Sequence, residues 1–223
     1  MHIGLIGGIG PAATDHYYQG LIRWLADNGK QLDLTIVHAD ATTLLDNLVR
    51  EDGAAQAAIF SKLMGRLKAA GARAAAITSI AGHFCIDELK KISPLPIIDI
   101  IGEVEVAIKK RNLKKIGLIG TRKVMDSRFY GGLSSVDIVL PDERDLDQVH
   151  KNYIDMAMSG QVTDTQRQIF FSVGRRLHED YGAEAIMLGG TDLFLAFDGQ
   201  DCGFDLIDCA GIHIETLARA AAE

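Results

Sequence analysis

Thr78 and Ser79 close an apolar run, Ala74 to Ile77, and lead into a helix-like segment that carries His83 and Cys85. In parallel α/β proteins such strand-to-helix junctions are where ligands gather, outside the carboxyl ends of the strands. The chemistry on offer here is that of hydroxyls, which bind carboxylates or pass protons when a base lies beside them. A second junction of the same kind reads Gly189-Gly190-Thr191-Asp192. A third, GGIGPAAT at residues 7–14, is a glycine-rich turn at a helix start. Its Gly8, Gly10 and Ala13 satisfy GxGxxA, a pattern that elsewhere brings backbone close to a pyrophosphate. Pro11 removes one donor from that helix start, although proline is well tolerated in a first turn. A turn that offers N–H groups to a small carboxylate is therefore preferred over a nucleotide site, and a nucleotide-binding oxidoreductase ranks last among the functions considered.

Other reactive side chains are scattered. The seven histidines never pair at helical spacing with another metal-ligand histidine, so no metal site is expected. His83 lies just beyond a predicted strand end, and His213 follows Cys209 by four residues. Cys85 sits in the apolar start HFCIDEL and reads as core, whereas Cys209 falls at a strand end. The three cysteines form no CxxC or CxxH pattern and no disulfide framework. The acidic PDERDLDQVH reads as a solvated helix start, capped by Asp142 or Asp145, on a helix that carries Val149 and Tyr153.

The elements that must position these residues alternate. HIGLIG, LDLTIVHA, ARAAAIT and LPIIDII read as strands, as do KIGLIG, SVDIVLP, AEAIMLG and FDLIDC, with amphipathic helices between them, among them 54–70 and 146–158. This order predicts an α/β fold of parallel sheets built from βαβ units. IGLIG occurs at 3–7 and at 116–120, GARAAAIT resembles GAEAIMLG, and PIIDI resembles FDLIDC, all in the same order. Two similar α/β halves are expected, related by a pseudo-two-fold with a cleft between them: residues 1–100 plus 206–223, and residues 101–205. The last helix, from His213, is expected to pack on the first half.

Composition bounds the partners. The 223 residues carry a formal charge of −7, which gives no basic footprint for nucleic acid or an anionic membrane surface. The basic runs Lys109 to Arg111 and Lys114-Lys115 read as the end of a helix, where they offset its dipole. No apolar run approaches the length of a membrane span, and the start MHIGLIGG lacks a signal-peptide pattern. A cytoplasmic, reducing setting is expected.

LIGGIGPAATDHYY, AGARAAAITSIAGHF, GLIGTRKVMDSRFY, VLPDERDLDQVH, GAEAIMLGGTDLFL and DLIDCAGIHIE together resemble the aspartate/glutamate racemase family, in order and over nearly the whole chain. The family opening GGMGPxAT is matched by Gly7 to Thr14, and GTRxxMxxxFY by Gly120 to Tyr130. The resemblance implies a cofactor-independent isomerase, often a homodimer, that moves the α-proton of an amino acid between two cysteines, one in each half. The first cysteine motif, CNTxH or TNTxH, aligns on Thr78, Ser79, Ile80, Ala81 and Gly82, so Thr78 replaces the thiol. The second, GCTE, aligns on Gly189 to Asp192, so Gly190 replaces the other. Arg50 is a candidate for a distal carboxylate.

The resemblance leaves two principal readings. In one, the chain is an isomerase or related α-carbon enzyme acting on a small amino acid or carboxylate. Gly8, Gly10, Ser79, Ile80, Thr121 and Thr191 then bind the substrate, and proton transfer passes to His83, Asp192, Cys209 or an ordered water. In the other, it is a catalytically inactive carboxylate-binding homologue.

Overall fold

The computed structural model describes residues 1–223 and divides them into two compact units, Met1–Ile100 with His213–Glu223, and Ile101–Ile212. The chain runs β1 (Ile3–Gly7), α1 (Pro11–Asp27), β2 (Leu34–His38), α2 (Ala41–Val49), α3 (Gly53–Ala69), β3 (Ala74–Ile77) and α4 (Ile86–Ile92). It continues with α5 (Ile100–Lys110), β4 (Lys115–Gly120), α6 (Arg122–Asp126), β5 (Asp137–Val139), α7 (Glu143–Ser159) and α8 (Asp164–Glu179). Last come β6 (Ala185–Gly189), α9 (Phe194–Phe197), β7 (Leu206–Asp208) and α10 (Cys209–Ala222). Short 3-10 turns follow β3 (Ala81–Cys85), α6 (Phe129–Gly131) and β6 (Thr191–Leu193).

Each unit is a parallel sheet with helices between its strands. The order is β2-β1-β3 in the first and β5-β4-β6-β7 in the second. β1 and β4 are thus equivalent central strands, each flanked by the next two strands in sequence. Their IGLIG repeat has a packing reason. A β-carbon on Gly4 would fall 2.8 Å from Leu67 of α3, and one on Gly117 would fall 3.0 Å from Leu177 of α8. Glycine at the same register in both sheets lets the equivalent helix press a leucine onto the strand. A methyl group at either position would overpack a fully buried contact, at a cost of about 1–3 kcal/mol.

The helices carry their own start signals. α1 begins with Pro11 and buries Ala13, Tyr17, Leu21 and Leu25, four apart on one face. Asp52 caps α3 by accepting the Ala55 N–H, and Asp142 caps α7 by accepting the Asp145 N–H. Thr163 and Gln166 form a reciprocal capping box at the start of α8. No helix is long and apolar enough to cross a membrane.

Two expectations need correction. LPIIDII is not a strand: only Ala75 and Ile97 bridge, through Ala75 N–H to Pro96 O and Ile98 N–H to Ala75 O. Pro94 and Pro96 have no N–H to donate, which limits this edge to one bridge before α5 begins. The second half also extends beyond 205. β7 pairs with β6 from Leu206 to Asp208, so residues 206–212 belong to the second unit and only His213–Glu223 joins the first.

That last segment is fastened by a buried histidine. His213 is fully buried; Ile98 O can only accept, so His213 Nε2–H donates to it at 2.9 Å. The other nitrogen must then accept, and Tyr17 Oη–H donates to Nδ1 at 2.8 Å. Burial holds this imidazole neutral, pushing its pKa from 6.5 down to about 3. Below pH 6.5 the unfolded chain takes up a proton that the folded chain refuses, so this contribution to stability is lost as pH falls from about 6.5 towards 3. Urea titrations at pH 7 and pH 4.5 should show a larger acid loss for the natural protein than for His213→Gln. The expected difference is about 2 kcal/mol, and equal losses would show that His213 titrates normally in the fold.

Candidate functional site

The first unit's strand ends are tied together by hydroxyls. Gly8 and Gly10 take positive φ, 96° and 88°, which a side chain would resist, and Pro11 then opens α1. The Gly8 N–H donates to Thr14 Oγ1 at 2.9 Å, and Thr14 Oγ1–H donates to Gly10 O at 3.2 Å. Gly8 therefore spends its donor inside the turn.

Thr78 follows β3 directly and is fully buried. Its hydroxyl donates to Ile6 O at 3.2 Å and lies 3.3 Å from Thr14 Oγ1. Ser79 and Ile80 are also buried. His83 Nδ1–H donates to Ser79 O at 2.8 Å, while Nε2 is buried without a hydrogen-bond partner, 3.6 Å from Asp99 Oδ1. Burial lowers the His83 pKa, and the charge of Asp99 opposes that shift. Nδ1 thus holds the Ser79 carbonyl and Nε2 faces Asp99.

A cavity of about 280 Å³ opens beside this junction, lined by Gly7, Gly8, Pro11, Thr14, Ile36 and His38. His38, exposed at the end of β2, is the cavity's one titratable side chain. Applying the strand-end rule to the second strand, LDLTIVHA, as well as to its neighbours would have found it. Arg50 donates to Asn47 Oδ1 at 2.7 Å and to Asp46 O, and so braces the end of its own helix.

The second unit gathers a different set. Thr121 caps α6, its Oγ1 accepting the Val124 N–H. The Arg122 guanidinium is shared among Asp126, Glu143 and Asp147, at 3.3, 2.5 and 2.6 Å. The Arg122 N–H donates to His150 Nδ1 at 3.2 Å, so a neutral His150 carries its hydrogen on Nε2. Burial lowers the His150 pKa, and the Arg122 charge adds to the effect.

One turn along α7 from His150 is Tyr153, which the sequence alone marks only as a helix residue. Its hydroxyl donates to Asp192 Oδ2 at 3.2 Å, and both side chains are buried. Burial, and then the Asp192 charge, hold the phenol well above its usual pKa of 10. A β-carbon on Gly190 would lie 2.2 Å from Tyr153 Cε2 and 2.7 Å from its hydroxyl oxygen. Gly190 has an extended backbone (φ −157°) that any residue can adopt, and the nearest obstacle to a side chain there is the phenol ring. Thr191 and Asp192 follow it in the 3-10 turn, both buried.

The thiols lie elsewhere. Cys85 Sγ faces Gly82 O, and burial pushes its pKa up to about 12. Cys209 is fully buried, Sγ towards Ile207 O, and burial raises it well above the ordinary value of 9. Cys202 is buried against Phe204 O. Nowhere do three or more His, Cys, Asp or Glu side chains converge in a way that would hold a metal ion.

The Asp/Glu/Hydantoin racemase family profile matches residues 6–217. Among solved structures, a Yersinia pestis protein provisionally identified as an Asp/Glu racemase aligns over 100% of both chains, with 26% identity and a TM-score of 0.86. An aspartate racemase homologue from Pyrococcus horikoshii OT3 covers 100% of this chain and 99% of its own, with 24% identity and a TM-score of 0.83. Glutamate racemase from Francisella tularensis, solved with D-glutamate, aligns with 98% of this chain and 80% of its own, at 14% identity and a TM-score of 0.61.

The contact at Gly190 is testable without a substrate. Gly190→Cys should destabilise the protein by about 1–3 kcal/mol through overpacking against Tyr153. In a Tyr153→Ala background, whose own cost is larger, the same substitution should cost much less, giving a coupling above about 1 kcal/mol in a urea double-mutant cycle. Additive effects would mean that the ring does not occupy the space beside residue 190.

Proposed function

Because the chain belongs to the Asp/Glu/hydantoin racemase family, we propose that it binds a small amino acid or related carboxylate at its strand ends and does not run the two-thiol racemisation. The carrying observation is that the strand-end cavity of the first unit is lined by Gly8, Thr14 and His38 and contains no cysteine. A thiol works as a base only as the thiolate, and burial keeps Cys85 and Cys209 protonated at neutral pH. Thr78 is no substitute base while its proton is held on Ile6 O. The hydroxyl gives the junction a fixed shape instead.

The ligand class follows from the family and from the D-glutamate bound by the Francisella relative. His38 supplies a partner for a carboxylate, beside the turn that carries Gly8 and Gly10. Ser79 and Ile80 are assigned to ligand binding at the strand ends of the first unit, and Thr121 and Thr191 at those of the second. A cytoplasmic homodimer that needs no cofactor is the remaining part of this reading.

Thermal shift and calorimetry with L- and D-aspartate, L- and D-glutamate, succinate and glutarate test it. At least one amino acid should raise the melting temperature in a saturable way. Chiral chromatography of that mixture should show no interconversion of enantiomers over hours at micromolar protein. His38→Ala should weaken binding about tenfold, the loss of one hydrogen bond to a charged group. Rapid interconversion, or no saturable shift with any of the six, would sink the proposal.

A further inference from the structure

Aspartate and glutamate each carry two carboxylates, but the first unit's cavity offers a partner for one. No lysine or arginine lines it. Its other donors are committed: the Gly8 N–H goes to Thr14 Oγ1, and the Thr14 N–H and hydroxyl both go to Gly10 O. Pro11 has no N–H to give. That leaves the His38 imidazole as the side chain that can meet an anion. Gly8 seats it closely, since a β-carbon there would lie 2.3 Å from His38 Nδ1. The remaining walls are the Pro11 ring, the Ile36 side chain and the glycine backbone, over which the Thr14 methyl lies 2.4 Å from the β-carbon position of Gly7.

Ile36 and His38 are alternate residues of β2, the edge strand of its sheet, so both side chains leave the same face. Their α-carbons are roughly 6–7 Å apart at the rise of a strand. A ligand that gives its carboxylate to His38 and runs back along β2 therefore lays the end of a four- or five-carbon chain against Ile36. Ile36 is 41% exposed, so its side chain is open to such a contact. A second carboxylate at that end would shed water against hydrocarbon with no cation to receive it, whereas a methyl group would bury apolar surface. We infer that the first unit's cavity prefers a monocarboxylic amino acid with a short aliphatic side chain to aspartate or glutamate, and that Ile36 sets the preference. The inference rests on the amino-acid-binding reading above and narrows its ligand class.

Two matched pairs test it, 2-aminobutyrate against aspartate and norvaline against glutamate, because each pair differs only by a methyl in place of the terminal carboxylate. Calorimetric titration of the intact protein with both enantiomers of each gives the ratio of dissociation constants. Both members should bind, the methyl member about tenfold more tightly, with burial of the methyl supplying about fourfold of that. Ile36→Thr keeps the branched shape but adds a hydroxyl, and should shrink the ratio by about fourfold. Ile36→Lys, a residue that edge strands accept, should reverse the order in favour of the dicarboxylates. The threonine variant decides the matter if the lysine variant does not fold. Equal or tighter binding of aspartate and glutamate by the natural protein, or an unchanged ratio in the folded variants, would overturn the inference and leave the amino-acid reading in place. No binding by any member of either pair would remove that reading and the inference with it.

Discussion

The centre of each sheet is a strand that has to admit a helix at less than an ordinary side-chain distance. Gly4 and Gly117 satisfy that requirement in β1 and β4, and Leu67 and Leu177 fill the space they leave. The consequence reaches the chemistry. Once the helix is seated, the flanking strands take their parallel register on either side, Gly4 opposite Thr35 and Ala75, and Gly117 opposite Val139 and Ile186. The register then fixes which residues emerge at the carboxyl ends: Thr78 one step beyond β3, and Gly190 one step beyond β6. The candidate site is thus set by packing at glycines a full strand-length away from it.

The two strand ends occupy equivalent places and use their polar groups in opposite ways. At Thr78 the hydroxyl belongs to the scaffold, donating to Ile6 O of the central strand and lying beside the Thr14 hydroxyl of the helix after it. At Gly190 the backbone contributes no side chain at all, and a helix residue reaches in to provide one. A buried hydroxyl that donates to a carbonyl is a satisfied group with no free energy to gain from reacting. A buried phenol that donates to a carboxylate is different, because both partners are titratable and the carboxylate's charge, after burial, raises the phenol. The same fold therefore carries an inert junction and a titratable one.

What could be read from the sequence follows from how far apart the interacting residues lie. The alternation of strands and helices, the IGLIG repeat, the Pro11 helix start and the Asp142 cap are local patterns, and each appears in the structure where its residues predict it. LPIIDII misleads because its apolar content looks like a strand while its prolines withhold the donors that a strand needs. His38 was within reach of the strand-end rule. Tyr153 was not, since its meaning depends on the absence of a side chain at Gly190, a residue in another element. A helix position facing inward looks like core until the space opposite it is known.

The buried histidines follow the same logic. His213 could not be recognised as a fastener from its spacing to Cys209, because its partners, Tyr17 and Ile98, lie at distant points of the chain. Both its nitrogens are satisfied, so it is held neutral at little cost in hydrogen bonding. His83 differs: one nitrogen holds the Ser79 carbonyl and the other faces Asp99 beyond hydrogen-bonding distance. The ring's one formed hydrogen bond thus braces the Ser79 carbonyl. Of the pairs at the strand ends, Tyr153 with Asp192 joins two titratable side chains, and Thr78 with Ile6 O does not.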